Sequence, residues 1–152
     1  MYRRTSNRLE VFLVHPGGPF WAKKDLGAWT IPKGEYETRE HPLIAAQREF
    51  QEETNFTAAG PFLPLGTVRQ ASGKTVVAWA FEGDCDPAKL VSNTCFIEWP
   101  PRSTRRLEIP EVDRGAWFSF DEARSRIRKE QLPLLSTLER ALTDSSPAPP
   151  AG

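Results

Sequence analysis

Apolar residues along this chain come in short runs, and their spacing predicts strands mixed with a few helices. Residues 9–14 form an apolar run that stops at His15-Pro16-Gly17-Gly18-Pro19, a stretch that cannot continue regular structure, so a strand followed by a loop is expected. Phe20-Trp21-Ala22 opens a second short segment, and Trp29-Thr30-Ile31-Pro32 reads as a third. Pro42 suits the first turn of a helix, where its missing N–H costs nothing, with Glu40 and His41 as the entry. Leu43, Ala46 and Phe50 then recur at helical spacing on a different side from Glu49, so one side of this helix should face a core and the acidic side a cleft. Thr54-Asn55 ends it. Strands are expected at 63–69 and 75–82, joined by the turn Ala71-Ser72-Gly73-Lys74, with a helical turn at 86–90. Further strands follow at 94–99 and 116–119, separated by a proline-containing loop over 100–110. A second helix starts at Ser119 or Phe120, with Asp121 and Glu122 in its first turn, and runs to about Lys129. Pro133 interrupts before a helix over 134–142, where Leu134, Leu135, Leu138 and Leu142 form one stripe.

The acidic side of the first helix carries the chemistry. Glu49, Glu52 and Glu53 stand at i, i+3 and i+4, so they project from one face. Like charges this close repel by roughly a few tenths of a kcal/mol per pair unless a cation sits among them. Oxygen-only, carboxylate-rich ligation is what Mg²⁺ or Mn²⁺ prefers. A Glu-rich helix face is more often simply solvated; the offsets of the neighbouring residues argue otherwise here.

Those offsets are Gly34-x5-Glu40-x7-Arg48-Glu49-Phe50-x-Glu52-Glu53-x-Asn55-Phe56. The run resembles the signature of the Nudix hydrolases, G-x5-E-x7-R-E-U-x-E-E-x-G-U with U a bulky aliphatic residue, and every charged position is present. Asn55 replaces the second glycine, and Phe50 and Phe56 stand at the U positions. Asn is the best non-glycine residue for a left-handed helix terminus, so the backbone role can survive. The resemblance implies an α/β protein with the Nudix fold, an α/β/α sandwich with a mixed sheet, over residues 1–142 with the box at 34–56. Residues 143–152 form a tail that is disordered by composition. Relatives usually carry an apolar strand ahead of residues 9–14, and only Met1-Tyr2 corresponds to it here. Either the chain starts upstream of Met1 or the sheet lacks part of an edge strand.

The resemblance also implies roles. Glu52 and Glu53 match the main metal ligands, Glu49 a further ligand or water-orienting group, and the Gly34 carbonyl a backbone ligand. Arg48 matches a support that pairs with a box carboxylate, and Glu40 a brace between loop and helix. Trp29-x-x-Pro32-Lys33-Gly34 resembles a run found in members acting on dinucleoside polyphosphates, nucleoside triphosphates and diphosphoinositol polyphosphates. Lys33 can there offer a point charge to phosphate, or be a surface lysine after a turn, and Trp29 can equally be core. Glu111, in Glu111-x5-Trp117-Phe118, is the leading candidate for a general base, with Glu98 and Glu108 as alternatives. Arg69, His15 and Lys74 are further candidate phosphate contacts. Arg102, Arg105 and Arg106 make a basic patch beside Trp99: a lid over a polyphosphate, a base-stacking platform or a solvated loop.

Bulk properties narrow the classes. The chain has 152 residues, enough for one domain with its own core, and 20 basic against 20 acidic residues leave no net charge to favour nucleic acid or a membrane surface. No apolar run is long enough to span a membrane and no signal peptide is visible, so a cytoplasmic location is expected. Cys85 and Cys95 lack metal-site spacing and read as ordinary thiols. The expected activity is a Mg²⁺- or Mn²⁺-dependent pyrophosphohydrolase acting on a small nucleotide, a dinucleoside polyphosphate or nucleoside triphosphate ahead of a nucleotide sugar. A nucleotide sensor without turnover and an RNA 5′-pyrophosphohydrolase are the alternatives, and a homodimer stays open.

Overall fold

In a computed structural model, which describes residues 1–33 and 39–144, the chain folds around a strand that is buried on both faces. Strand β1 is Tyr2–Thr5 and β2 is Arg8–Pro16; helix α1 is Pro42–Thr54; β3 is Leu63–Arg69 and β4 Thr75–Ala80. Next come β5 (Thr94–Glu98), β6 (Arg106–Pro110), β7 (Val112–Ser119), α2 (Phe120–Arg126) and α3 (Leu132–Asp144). The first sheet has the order β1-β2-β7, all antiparallel, while β3-β4 and β5-β6 are antiparallel hairpins. Parallel bridges at Tyr2–Glu82 and Trp29–Ile127 give the arrangement its mixed character.

Strand β2 explains why residues 9–14 show an apolar run instead of alternation. Val11 and Leu13 pack into a cluster with Phe118, Ala123, Ile127, Leu135, Leu138 and Leu142, whereas Phe12 and Val14 pack the opposite way with Val112. A strand covered on both faces needs apolar residues at successive positions. Gly115, opposite Val14 on β7, admits the Phe12 ring, since a Cβ there would lie 2.3 Å from its Cζ.

Local signals set the helix ends. Pro42 sits in the first turn of α1, and the His41 side chain caps it by accepting from the Leu43 N–H. Asn55 closes the helix at φ 66°, with its N–H on the Gln51 carbonyl, so asparagine takes the left-handed position. Ser119 and Glu122 form a reciprocal capping box on α2. Along α1, Phe50 is buried against Phe81, and Leu43 and Ala46 line an apolar cavity of about 120 Å³ facing β4 and α3.

Several expectations shift. Residues 106–110, expected within a loop, form strand β6, because the stretch between Pro101 and Pro110 holds no breaker and pairs with β5. Pro133 does not interrupt a helix; it lies in the first turn of α3, which begins one residue earlier, where a missing N–H is harmless. Residues 20–22 form a turn, and Trp29 and Thr30 make single bridges instead of a strand. Strand β7 begins at Val112, four residues before the expected start, and α2 ends at Arg126. Tyr2–Thr5 forms the edge strand that the sequence was expected to lack in part. Of the tail expected over 143–152, Thr143 and Asp144 belong to α3, while 145–152 lie outside the described residues, as does Gly34.

Candidate active site

The C-terminal half of α1 presents its carboxylates around one guanidinium. Arg48 forms a fork on Glu40, with Nη2 donating to Oε1 at 2.7 Å and Nε to Oε2 at 3.0 Å. Its remaining nitrogen, Nη1, donates to Glu49 Oε1 at 2.9 Å and to both oxygens of Glu52 at 3.3 Å. The bidentate grip ties the entry of α1 to its second turn. The pairing holds the Glu40 carboxyl below, and the Arg48 guanidinium above, its ordinary range.

The segment carrying Lys33 is laid onto this helix by backbone bonds. Thr30 exchanges both N–H···O bonds with Val14, the Trp29 N–H bonds to Arg126, and the Arg128 N–H bonds to Trp29. Gln131, fully buried, accepts from the Ile31 N–H at 3.0 Å and donates to Thr30 Oγ1 at 2.8 Å. So anchored, the segment brings the Lys33 N–H to Glu53 Oε2 at 3.0 Å. Trp29 itself is core, with its indole N–H on Asp25 Oδ1 at 2.7 Å.

Glu111 reaches the same place from a distant part of the chain. The Asn93 N–H caps the helix carbonyl of Glu52, and the Asn93 carbonyl accepts the Glu111 N–H. The Glu111 carbonyl in turn accepts from Gly17, where a Cβ would stand 2.0 Å from the Pro110 oxygen, so only glycine fits. Glu111 and Glu53 both line a cleft of about 300 Å³ together with Lys33, Arg128, Phe20 and Trp21.

Electrostatics in this cleft are unfavourable to its own charges. Burial, then the nearby Glu111 and Glu49 charges, pushes Glu53 up to about 8 despite its bond from Lys33. Burial raises Glu49 and Glu111 as well, the neighbouring carboxylates adding to it. Lys33 is lowered, first by burial and next by the charge of Arg128.

The other candidates from the sequence lie elsewhere. Arg69 is exposed at the β3-β4 turn, bonding the Gly73 carbonyl, and Arg102 is exposed in the β5-β6 turn; neither lines the cleft. Glu98 accepts from the Thr104 N–H within that turn and Glu108 is exposed on β6, so of the three candidate bases only Glu111 lines the cleft. His15 is fully buried between Asp113 (2.9 Å) and the Lys24 carbonyl (2.6 Å), where it ties down the 17–28 loop. Arg106 stacks over Phe96, and Cys95 lines the cleft as a free thiol. Arg128, Phe20 and Trp21 escaped the sequence reading as site residues. No spacing ties Arg128 to the box, and only the bridge between Trp29 and Ile127 carries it to the cleft.

Among the described residues, no three His, Cys, Asp or Glu side chains stand ready to grip a metal ion. The donor chemistry nonetheless fits a hard divalent cation. Glu49, Glu52 and Glu53 offer only oxygen, and the Glu52 charge disfavours that of Glu49 while the Glu49 charge disfavours that of Glu53, a conflict that a divalent cation relieves.

A model described as the NUDIX domain matches residues 2–138. The chain belongs to the NUDIX domain family. The protein is a hydrolase acting on phosphoanhydride bonds. Solved structures with the same fold include a C. elegans Ap4A hydrolase binary complex, at 21% identity and TM-score 0.64, covering 94% of both chains. The NUDIX domain of Shewanella oneidensis NrtR complexed with ADP ribose has 18% identity and TM-score 0.62, covering 93% of this chain and 82% of that one. A mutT/nudix family protein from Listeria innocua has 18% identity and TM-score 0.57, covering 94% and 88%. At these identities the likeness is one of fold. Among curated protein sequences none matches. No helix among the described residues is long and apolar enough to cross a membrane.

Proposed function

We propose that this NUDIX domain, spanning residues 1–142, is a Mg²⁺- or Mn²⁺-dependent pyrophosphohydrolase. Its substrate is a nucleoside diphosphate-linked molecule, a dinucleoside polyphosphate or a nucleoside triphosphate ahead of a nucleotide sugar, and it works in the cytoplasm. The observation that carries this reading is the cleft itself, which Lys33, Glu53 and Glu111 line together, with Glu49 and Glu52 on the same helix as Glu53. Glu49, Glu52 and Glu53 are the residues that would hold the cation. When bound, it supplies charge neutralisation on phosphate and acidification of water.

The protein's own groups divide the remaining work. Lys33 neutralises a phosphate oxygen beside the carboxylates. Glu111, raised by burial and by Glu52, lines the cleft with Glu53 and is the residue that would take a proton from the attacking water. Arg48 keeps Glu49 and Glu52 in fixed rotamers while its fork on Glu40 holds the helix entry. The similar solved structures include an Ap4A hydrolase and an ADP ribose complex, both consistent with a nucleotide ligand.

The test is turnover of a panel in Mg²⁺: nucleoside triphosphates, diadenosine polyphosphates, nucleotide sugars and triphosphorylated RNA, with Glu52→Gln in parallel. Hydrolysis of a nucleotide with loss of orders of magnitude in Glu52→Gln supports the reading. Absence of product from every substrate, or a rate that Glu52→Gln leaves unchanged, overturns it.

A further inference from the structure

The cleft has a cationic side that the box does not supply. Of the residues lining it, Lys33 and Arg128 are the two cations. Arg128 follows Ile127, whose bridge to Trp29, with the Arg128 N–H on the Trp29 carbonyl, fixes the backbone next to the Lys33 segment. Its guanidinium carbon lies 4.7 Å from the centre of the Trp21 ring, a cation–π contact that holds the side chain without using its in-plane donors. Its Nε is buried with no hydrogen-bond partner, and among the described residues no carboxylate forms an ion pair with it. A half-buried arginine usually spends its planar fork on a carboxylate or phosphate. Here neither carboxylate lining the cleft, Glu53 or Glu111, forms an ion pair with it, and the fork stays available.

The Lys33 N–H bonds Glu53, and the Arg128 N–H bonds Trp29 of the segment that leads into Lys33. Carboxylates, lysine and arginine thus line one cleft. We propose that Arg128 is a substrate-binding residue that grips phosphate oxygens of a polyphosphate chain beyond those held at the carboxylates, with Trp21 presenting its guanidinium. The substrate class it selects is a nucleotide carrying three or more phosphates over a two-phosphate nucleotide conjugate. This rests on the hydrolase reading above and deepens it by naming what the far side of the cleft recognises.

The experiment compares the full chain with Arg128→Met, which keeps the stem over Trp21, and Arg128→Lys, which keeps the charge but not the fork. Each is assayed in Mg²⁺ with ATP, diadenosine tetraphosphate and ADP-ribose, and each is titrated calorimetrically with inorganic tripolyphosphate. Arg128→Met should raise KM for the longer chains about tenfold to a hundredfold, the value of a charge-assisted hydrogen bond, with kcat within about threefold. KM for ADP-ribose should move less than about threefold, tripolyphosphate should bind about tenfold more weakly, and Arg128→Lys should recover part of each loss. Unchanged tripolyphosphate affinity in Arg128→Met, or an equal loss on ADP-ribose, overturns the proposal. If the wild-type protein turns over none of the substrates, the hydrolase reading fails while the tripolyphosphate titration still decides Arg128. Melting curves accompany each variant, and should Arg128→Met not fold, Arg128→Gln takes its place.

Discussion

Glu53 should destabilise the fold it serves. Its side chain is buried, 7% exposed, and the surroundings push its pKa from 4.5 to about 8. Between these values the folded protein carries a proton on Glu53 that the unfolded chain does not, so ∂ΔG/∂pH is negative and stability falls as pH rises. The contribution is fully present below pH 4.5 and is lost as pH climbs through about 8. At pH 7, proton uptake over about 2.5 pH units costs roughly 3 kcal/mol, at about 1.4 kcal/mol per unit. Glu53→Gln removes the cost while its amide oxygen still accepts from the Lys33 N–H. The metal-free variant should therefore melt on the order of 6–12 °C above wild type near pH 7, using about 2–4 °C per kcal/mol for a domain of this size. The gain should shrink toward zero near pH 5. In Mg²⁺ the gap should close, because the ion stabilises the wild type by roughly 2–3 kcal/mol at a hundredfold excess over its Kd and has lost a ligand in the variant. Thermal melts in EDTA and in Mg²⁺ across this pH range check both statements. A variant no more stable than wild type in EDTA, or a gain that does not vary with pH, refutes the argument.

Other perturbations probe the supports. Arg48→Ala should lower activity by about 10–100-fold by freeing Glu49, Glu52 and Glu40, and Arg48→Lys should restore only part of it because the fork is lost; steady-state kinetics decide. Gln131→Leu strands the part-buried Ile31 N–H and should cost about 1–3 kcal/mol by denaturant melts, with loss of activity as the Lys33 segment loosens. Asn55→Ala, at φ 66°, should cost about 1 kcal/mol, whereas Asn55→Gly should be neutral or slightly stabilising; an equal effect of both would show that the left-handed cap does not matter.

Glu40, Arg48, Glu49, Glu52 and Glu53 were legible as a unit because their relation is local. Helical spacing puts Arg48 within reach of Glu52, and the structure delivers those bonds together with the fork on Glu40. The left-handed Asn55, the capped start at Pro42 and the leucine stripe of α3 were legible for the same reason: each depends on neighbours a few residues away. Strand β6 was not legible, since its backbone partners on β5 offset the flanking prolines.

What tertiary structure alone decided is which distant residues meet those carboxylates. Glu111 was one of three candidate bases in sequence; the Asn93 relay from the end of α1 and the Gly17 contact bring it into the cleft, while Glu98 and Glu108 stay on the hairpin. Arg128 carries no mark in sequence at all and arrives through its bond to Trp29. A motif specifies charges at fixed offsets along one helix. Burial, and with it the rise of Glu53 to about 8, comes from packing around that helix, which no offset encodes.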